Sequence, residues 1–282
     1  PPEQDFYQYA NGTWKKKNPI PADYSSWGAF SILQSNTQRK IHDLLIVAAE
    51  NMQAEKGSVE QKVGDFYFSG MDEKLINTVG ITPLQPQFAH IDAIKNVADL
   101  QAVIAELHLI GVNVFFGFGC MQDYTDSNEM IAVVSQGGLG LPDREYYLNK
   151  NKKFQLIRKA YLHHMTVMFE LLGDSSVNAA KHAQIVLSIE TQFAKASMSQ
   201  IALRDPHATY NLRDRQQLNA MTPLFSWSDY FSNMHQSEIK QINVATLEFF
   251  SAMNQALQEV SLEDWKTYLR WHLLSEYAPY VS

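Results

Sequence analysis

Val112-Asn-Val-Phe-Phe-Gly-Phe-Gly-Cys-Met121, followed by the polar turn Asp123-Tyr-Thr-Asp-Ser-Asn128 and by Met130-Ile-Ala-Val-Val-Ser135, decides the fold class. The first run is rich in Val, Phe and Gly and the second is β-branched, so the pair reads as a β-hairpin. Around it the pattern is helical. The expectation is a mainly α protein: a multi-helical lobe with one small β-hairpin at about 112–135.

Upstream, Ala98 to Ile110 carries Leu100, Val103, Ile104 and Leu107 on one stripe, with Gly111 as the stop. Ser25 or Ser26 caps a longer helix running to about Ala54, with Trp27, Phe30, Leu33, Ile41, Leu44 and Leu45 at helical steps. Gly57-Ser58 breaks it, and a helix over 59–69 turns Val63, Phe66 and Tyr67 inward. Residues 1–24, punctuated by Asn11-Gly12, Asn18-Pro19 and Pro21, read as an extended, loosely attached segment. Downstream, Phe154 to Leu172 and Val186 to Ala196 repeat the helical spacing, Pro206 and Pro223 break 201–225, and two helices close the chain at about 243–259 and 262–277. No linker separates these, so 25–282 reads as one helical body.

The 282 residues carry 30 acidic and 23 basic side chains, a net charge of −7. That excludes the basic stripe of a nucleic-acid surface. No run approaches the roughly 18 apolar residues of a membrane helix. The single cysteine, Cys120, cannot form an intrachain disulfide, and its apolar run predicts a buried thiol. The chain opens on Pro1-Pro2 and stops after Pro279-Tyr-Val-Ser282, so both ends are expected to be cut from a longer protein.

Chemistry-bearing motifs are missing. There is no G-x-S-x-G and no H-E-x-x-H. Gly137-Gly-Leu-Gly140 follows a strand but lacks a phosphate loop's G-K-[ST] ending; Leu-Pro-Asp after it predicts a structural turn. His163 and His164 are adjacent and point apart on a helix, and His272 with Glu276 is a surface contact before it is a metal pair. No residue is expected to be catalytic or to bind a metal.

Five blocks in order carry a resemblance: Asp5–Trp14, Ile20–Phe30, Gly137–Leu148, Phe225–Phe231 and Tyr268–Ser282. Together they resemble the N-terminal portion of a neprilysin or endothelin-converting-enzyme type zinc metallopeptidase, a bacterial oligopeptidase-like member. The resemblance implies a zinc metalloendopeptidase acting on oligopeptides, with zinc, its ligands and H-E-x-x-H in a C-terminal catalytic lobe beyond these residues. This part would cap and shape the substrate chamber, hold no zinc itself and be inactive alone. Residues 1–24 would pack on the catalytic lobe. The resemblance also implies that the first long helix lines the substrate cleft: aligned on Trp27-Gly28, the contacting positions are Ser26, Phe30 and Gln34, beside Trp27. Four-residue steps would put Ser26, Phe30 and Gln34 on one helix face. Two arginines of the neprilysin pattern are replaced by Ser26 and Gln34, which removes bidentate donors for a substrate carboxylate. Core packing is the competing expectation for Phe30. The lack of disulfide partners points to a bacterial relative in the periplasm or outside the cell, with the cytoplasm as the other setting. A free-standing helical binding or scaffold module is the alternative function.

Overall fold

The computed structural model describes residues 1–282. The chain forms two compact units, Pro1–Thr78 and Val79–Ser282, a division unlike the one expected at residue 24.

The first unit is helical: α1 (Phe6–Lys17), α2 (Ala29–Glu50), α3 (Val59–Gly70) and α4 (Glu73–Val79), the last ending one residue beyond it. The extended reading of residues 1–24 is therefore corrected over α1. Asn11-Gly12 looks like a turn, but Gly12 in a helix costs only about 1 kcal/mol against alanine. The Asp5 carboxylate caps the N-terminus by accepting from Gln8 N at 2.8 Å, and Lys15, Lys16 and Lys17 sit at the negative end. Helices α2 and α3 lie together where Gly64 meets Ala48; a Cβ at Gly64 would collide with the Ala48 carbonyl. Phe66, two residues on and thus roughly 200° around the helix, is 82% exposed rather than inward. Helix α2 buries no residue at all and is capped by the backbone of Gly28, without a side-chain cap from Ser25 or Ser26.

In the second unit, α5 (Gln85–Asp92) and α6 (Val97–Leu109) lead into β1 (Phe116–Gln122) and β2 (Met130–Gln136). Then come α7 (Glu145–Leu148), α8 (Lys152–Leu171), α9 (Ser176–Ala196), α10 (Pro206–Thr209), β3 (Leu212–Asp214), α11 (Arg215–Met221), α12 (Trp227–Asn233), β4 (Gln241–Val244), α13 (Leu247–Glu259) and α14 (Leu262–Tyr277). Caps are local and legible: Asn96 on α6, Ser175 on α9 and Ser261 on α14 each accept from a backbone N–H three residues on.

The expected hairpin forms, with Phe116 opposite Gln136, but it is half of a four-stranded sheet in the order β1-β2-β4-β3. Strand β4 runs parallel to β2, pairing Ala132 with Ile242, and so replaces the start of the helix expected from about 243. Ile242 and Val244 are buried on this short strand, and the helix starts only at Leu247. The core beside the sheet is aromatic: Phe115, Phe116, Phe193, Phe250, Trp227 and Trp265 are all buried. Phe115 takes a left-handed backbone, φ 56°, which costs a non-glycine residue roughly 1–2 kcal/mol. It is held there by Trp265, 4.4 Å between ring centroids, and by Tyr268, whose hydroxyl accepts from Phe115 N and donates to Gly138 O at 2.8 Å.

Candidate functional site

The residues expected to touch substrate lie in the first unit. Phe30 and Gln34 are exposed on the first turns of α2, four residues apart on one face. Ser26 lies three residues ahead of the helix, so the expected three-residue stripe reduces to Phe30 and Gln34. Trp27, partly buried, meets the Tyr24 ring edge-on at 4.6 Å. Phe30 is 88% exposed and is not core of this chain.

The second unit holds a polar cluster that sequence reasoning missed. Glu190, on α9, is fully buried. Its carboxylate accepts from Gly140 N at 3.1 Å, Tyr147 hydroxyl at 2.9 Å and Tyr161 hydroxyl at 3.0 Å. His272 Nε2 lies 3.1 Å from the same carboxylate but outside hydrogen-bond alignment. Trp271 Nε1 donates to Tyr161 hydroxyl at 2.9 Å. Burial, and then the Glu190 charge, push the Tyr147 and Tyr161 phenols far above their ordinary range, so both stay neutral donors. A Cβ at Gly140 would strike the Tyr161 hydroxyl, which is why glycine stands there. The cluster thus clamps the Gly137–Leu148 block onto α8, α9 and α14. With Glu190 fully buried beneath Tyr147 and Tyr161, the cluster is structural rather than a substrate site. The expected surface pairing of His272 with Glu276 is replaced by this contact, because α14 turns His272 into the core.

The other candidates are also accounted for. His108 accepts from Tyr230 hydroxyl through Nδ1 at 2.7 Å and donates from Nε2 to Val114 O at 2.8 Å. Burial lowers its pKa, partly opposed by the Val114 bond, and the ring is neutral. Cys120 is exposed, not buried, because the edge strand β1 turns it toward solvent. At the hairpin turn, Asp123 accepts from Tyr210 hydroxyl at 2.6 Å and from Thr125 N at 2.7 Å; these bonds lower its pKa, the tyrosine's contribution being the larger. No three His, Cys, Asp or Glu side chains converge as a metal set, so the residues of this chain do not by themselves supply the ligands of a zinc ion. No helix is long and apolar enough to cross a membrane.

A mainly α lobe, built around an aromatic core and clamped by a buried carboxylate, is the class these features define. Residues 2–282 match the N-terminal model of Peptidase family M13, and the chain belongs to that family. Endothelin-converting enzyme 1 of Cavia porcellus is 29% identical over 295 residues, covering 100% of this chain and 38% of the relative. The endothelin-converting enzyme homolog of Locusta migratoria is 29% identical over 301 residues, covering 100% of this chain and 41% of the relative. Among solved structures, Mycobacterium tuberculosis zinc metalloprotease Zmp1 in complex with inhibitor superposes with a TM-score of 0.92 at 30% identity, covering 100% of this chain and 43% of that one. The chain therefore spans about two-fifths of the length of the curated relatives it matches.

Proposed function

We propose that these residues are the non-catalytic, chamber-shaping lobe of a zinc metalloendopeptidase that hydrolyses peptide bonds in oligopeptides. The match to Peptidase family M13 over residues 2–282, with relatives more than twice as long, carries this reading. The partner of the lobe is then a C-terminal catalytic lobe of the same polypeptide, which holds the zinc, its ligands and the general base. The periplasm or the cell exterior is the proposed setting. Hydrolysis of an internally quenched oligopeptide tests the function. Protein extending beyond Ser282 should cleave it and lose activity to a chelator, whereas residues 1–282 alone should not; cleavage by the 282-residue chain at the same rate would overturn the reading.

Phe30 and Gln34, with Ser26 and Trp27 beside them, are the proposed substrate contacts. The exposure of Phe30 supports this, since it has no packing role within the chain. Without arginines at Ser26 and Gln34, a substrate's C-terminal carboxylate gains no bidentate clamp. Amidating that carboxylate should change kcat/KM by less than about threefold, under 1 kcal/mol of binding; a hundredfold loss would remove the assignment.

A further inference from the structure

Strand β1 is an edge. It pairs with β2 on one side, and no strand lies on the other. Asp123 N donates to Glu129 O at 3.0 Å, continuing the β1–β2 register one step beyond Gln122 opposite Met130. In an antiparallel ladder, bonded and non-bonded pairs alternate. Met121, Gly119 and Gly117 therefore bond to β2, while Phe118, Cys120 and Gln122 turn their N–H and C=O groups outward. No backbone or side-chain partner meets those outward groups.

Natural edges are usually blunted by lysine, proline, a bulge or a covering element. Phe116, buried and with its N–H bonded to Val114 O at 2.6 Å, is covered, but from Phe118 to Gln122 the edge has none of these: it carries no charge and no proline and keeps a one-to-one register. Gly119, Cys120 and Gln122 are exposed. At Gly119 a Cβ would meet nothing within 4 Å, so one face of the strand is open to a neighbour's side chains. The turn at the end of the strand, Asp123 to Glu129, carries three carboxylates and no basic residue, and Asp123 is fixed there by Tyr210 and Thr125.

We propose that the outer edge of β1 is a docking strand for an extended peptide, which adds to the sheet through main-chain hydrogen bonds and places a basic residue beside the Asp123–Glu129 turn. Main-chain pairing supplies affinity without demanding a particular sequence, and the acidic turn sets the direction in which the peptide lies. That the occupant is a peptidase substrate rests on the function proposed above; the edge itself does not.

The test uses the 282-residue chain and the fluorescein-labelled heptapeptide Lys-Val-Thr-Val-Thr-Val-Lys, followed by anisotropy. N-methylating alternate peptide amides gives two sets, of which only one faces β1. One set should lose about tenfold or more in affinity, as expected for lost main-chain bonds, and the other should bind normally. Cys120→Pro, which removes an outward N–H and leaves the β2 ladder untouched, should cause a similar loss with an unchanged melting temperature. Equal binding of both N-methylated sets, or no binding by the unmodified peptide, overturns the proposal. So does self-association of the chain that Cys120→Pro abolishes while the peptide does not compete. Cleavage by the longer protein without the alternating N-methyl pattern sinks the docking strand alone. An alternating pattern without cleavage sinks the peptidase reading alone.

Discussion

Helices α2 and α14 are each half apolar, yet they end in opposite circumstances. Helix α14 buries eight of its 16 residues, among them Trp265, Tyr268 and Trp271. Helix α2 is longer and buries none, leaving Phe30, Leu33, Ile41 and Leu44 in water. The second unit has assembled its core; the first has a helical pair that covers Ile32, Leu45 and Ile46 only in part and leaves many other apolar side chains exposed. Periodicity specifies a face but not what meets it, and an exposed face of this extent marks an interaction surface.

The most severe way to strain this contrast is to remove the carboxylate at the centre of the second unit. Glu190→Ala strands the Tyr147 and Tyr161 hydroxyls and Gly140 N without their acceptor and should cost about 3–5 kcal/mol in urea unfolding. A loss below about 1 kcal/mol would mean that the cluster does not clamp the lobe. Close behind it, Phe193→Ala opens a cavity against Phe115, Phe249 and Trp265 and should cost about 3–5 kcal/mol. The matched truncation in the first unit, Phe30→Ala, should stay within about 0.5 kcal/mol; equal costs for the two phenylalanines would erase the distinction between the units.

A smaller effect is expected from pH. His108 is held neutral with a folded pKa below the ordinary 6.5. Between the folded pKa and 6.5 the unfolded state binds more protons, so stability is complete above pH 6.5 and falls as pH drops through that window. Melting temperatures at pH 7.5 and 5.5 should differ, and the difference should shrink in His108→Gln. Smallest of all should be the consequence of Phe66→Ser in the first unit: a stability change within about 0.5 kcal/mol, with weaker binding of a fluorescent apolar dye.

Most of the helices were legible because each depends on neighbours within a few residues, although the cap expected at Ser25 or Ser26 falls instead at Gly28. Leu100, Val103, Ile104 and Leu107 repeat on one stripe of α6, and Asn96 caps it locally. Helix α1 was lost to Asn11-Gly12, a turn signal that a capped helix tolerates. Strand β4 was lost because four residues give too short a run to show a period. The Glu190 cluster was invisible for another reason: Tyr147 and Tyr161 lie 43 and 29 residues away along the chain, and no spacing rule links them to a carboxylate on α9. The proposed contacts fared in between. The four-residue step from Phe30 to Gln34 holds, but the step back to Ser26 leaves the helix.

The parallel pairing of β2 with β4 also sets an order of events during synthesis. Gln136 N donates to Thr246 Oγ1 across a separation of 110 residues. At about 5–20 residues per second, a ribosome needs roughly 5–20 s to make that stretch. Through that interval the hairpin can close, but β2's second edge has no strand to meet. The nascent chain therefore exposes two sticky strand edges until β4 emerges, which makes this interval the point at which a chaperone that shields apolar strands would raise the yield of folded lobe most.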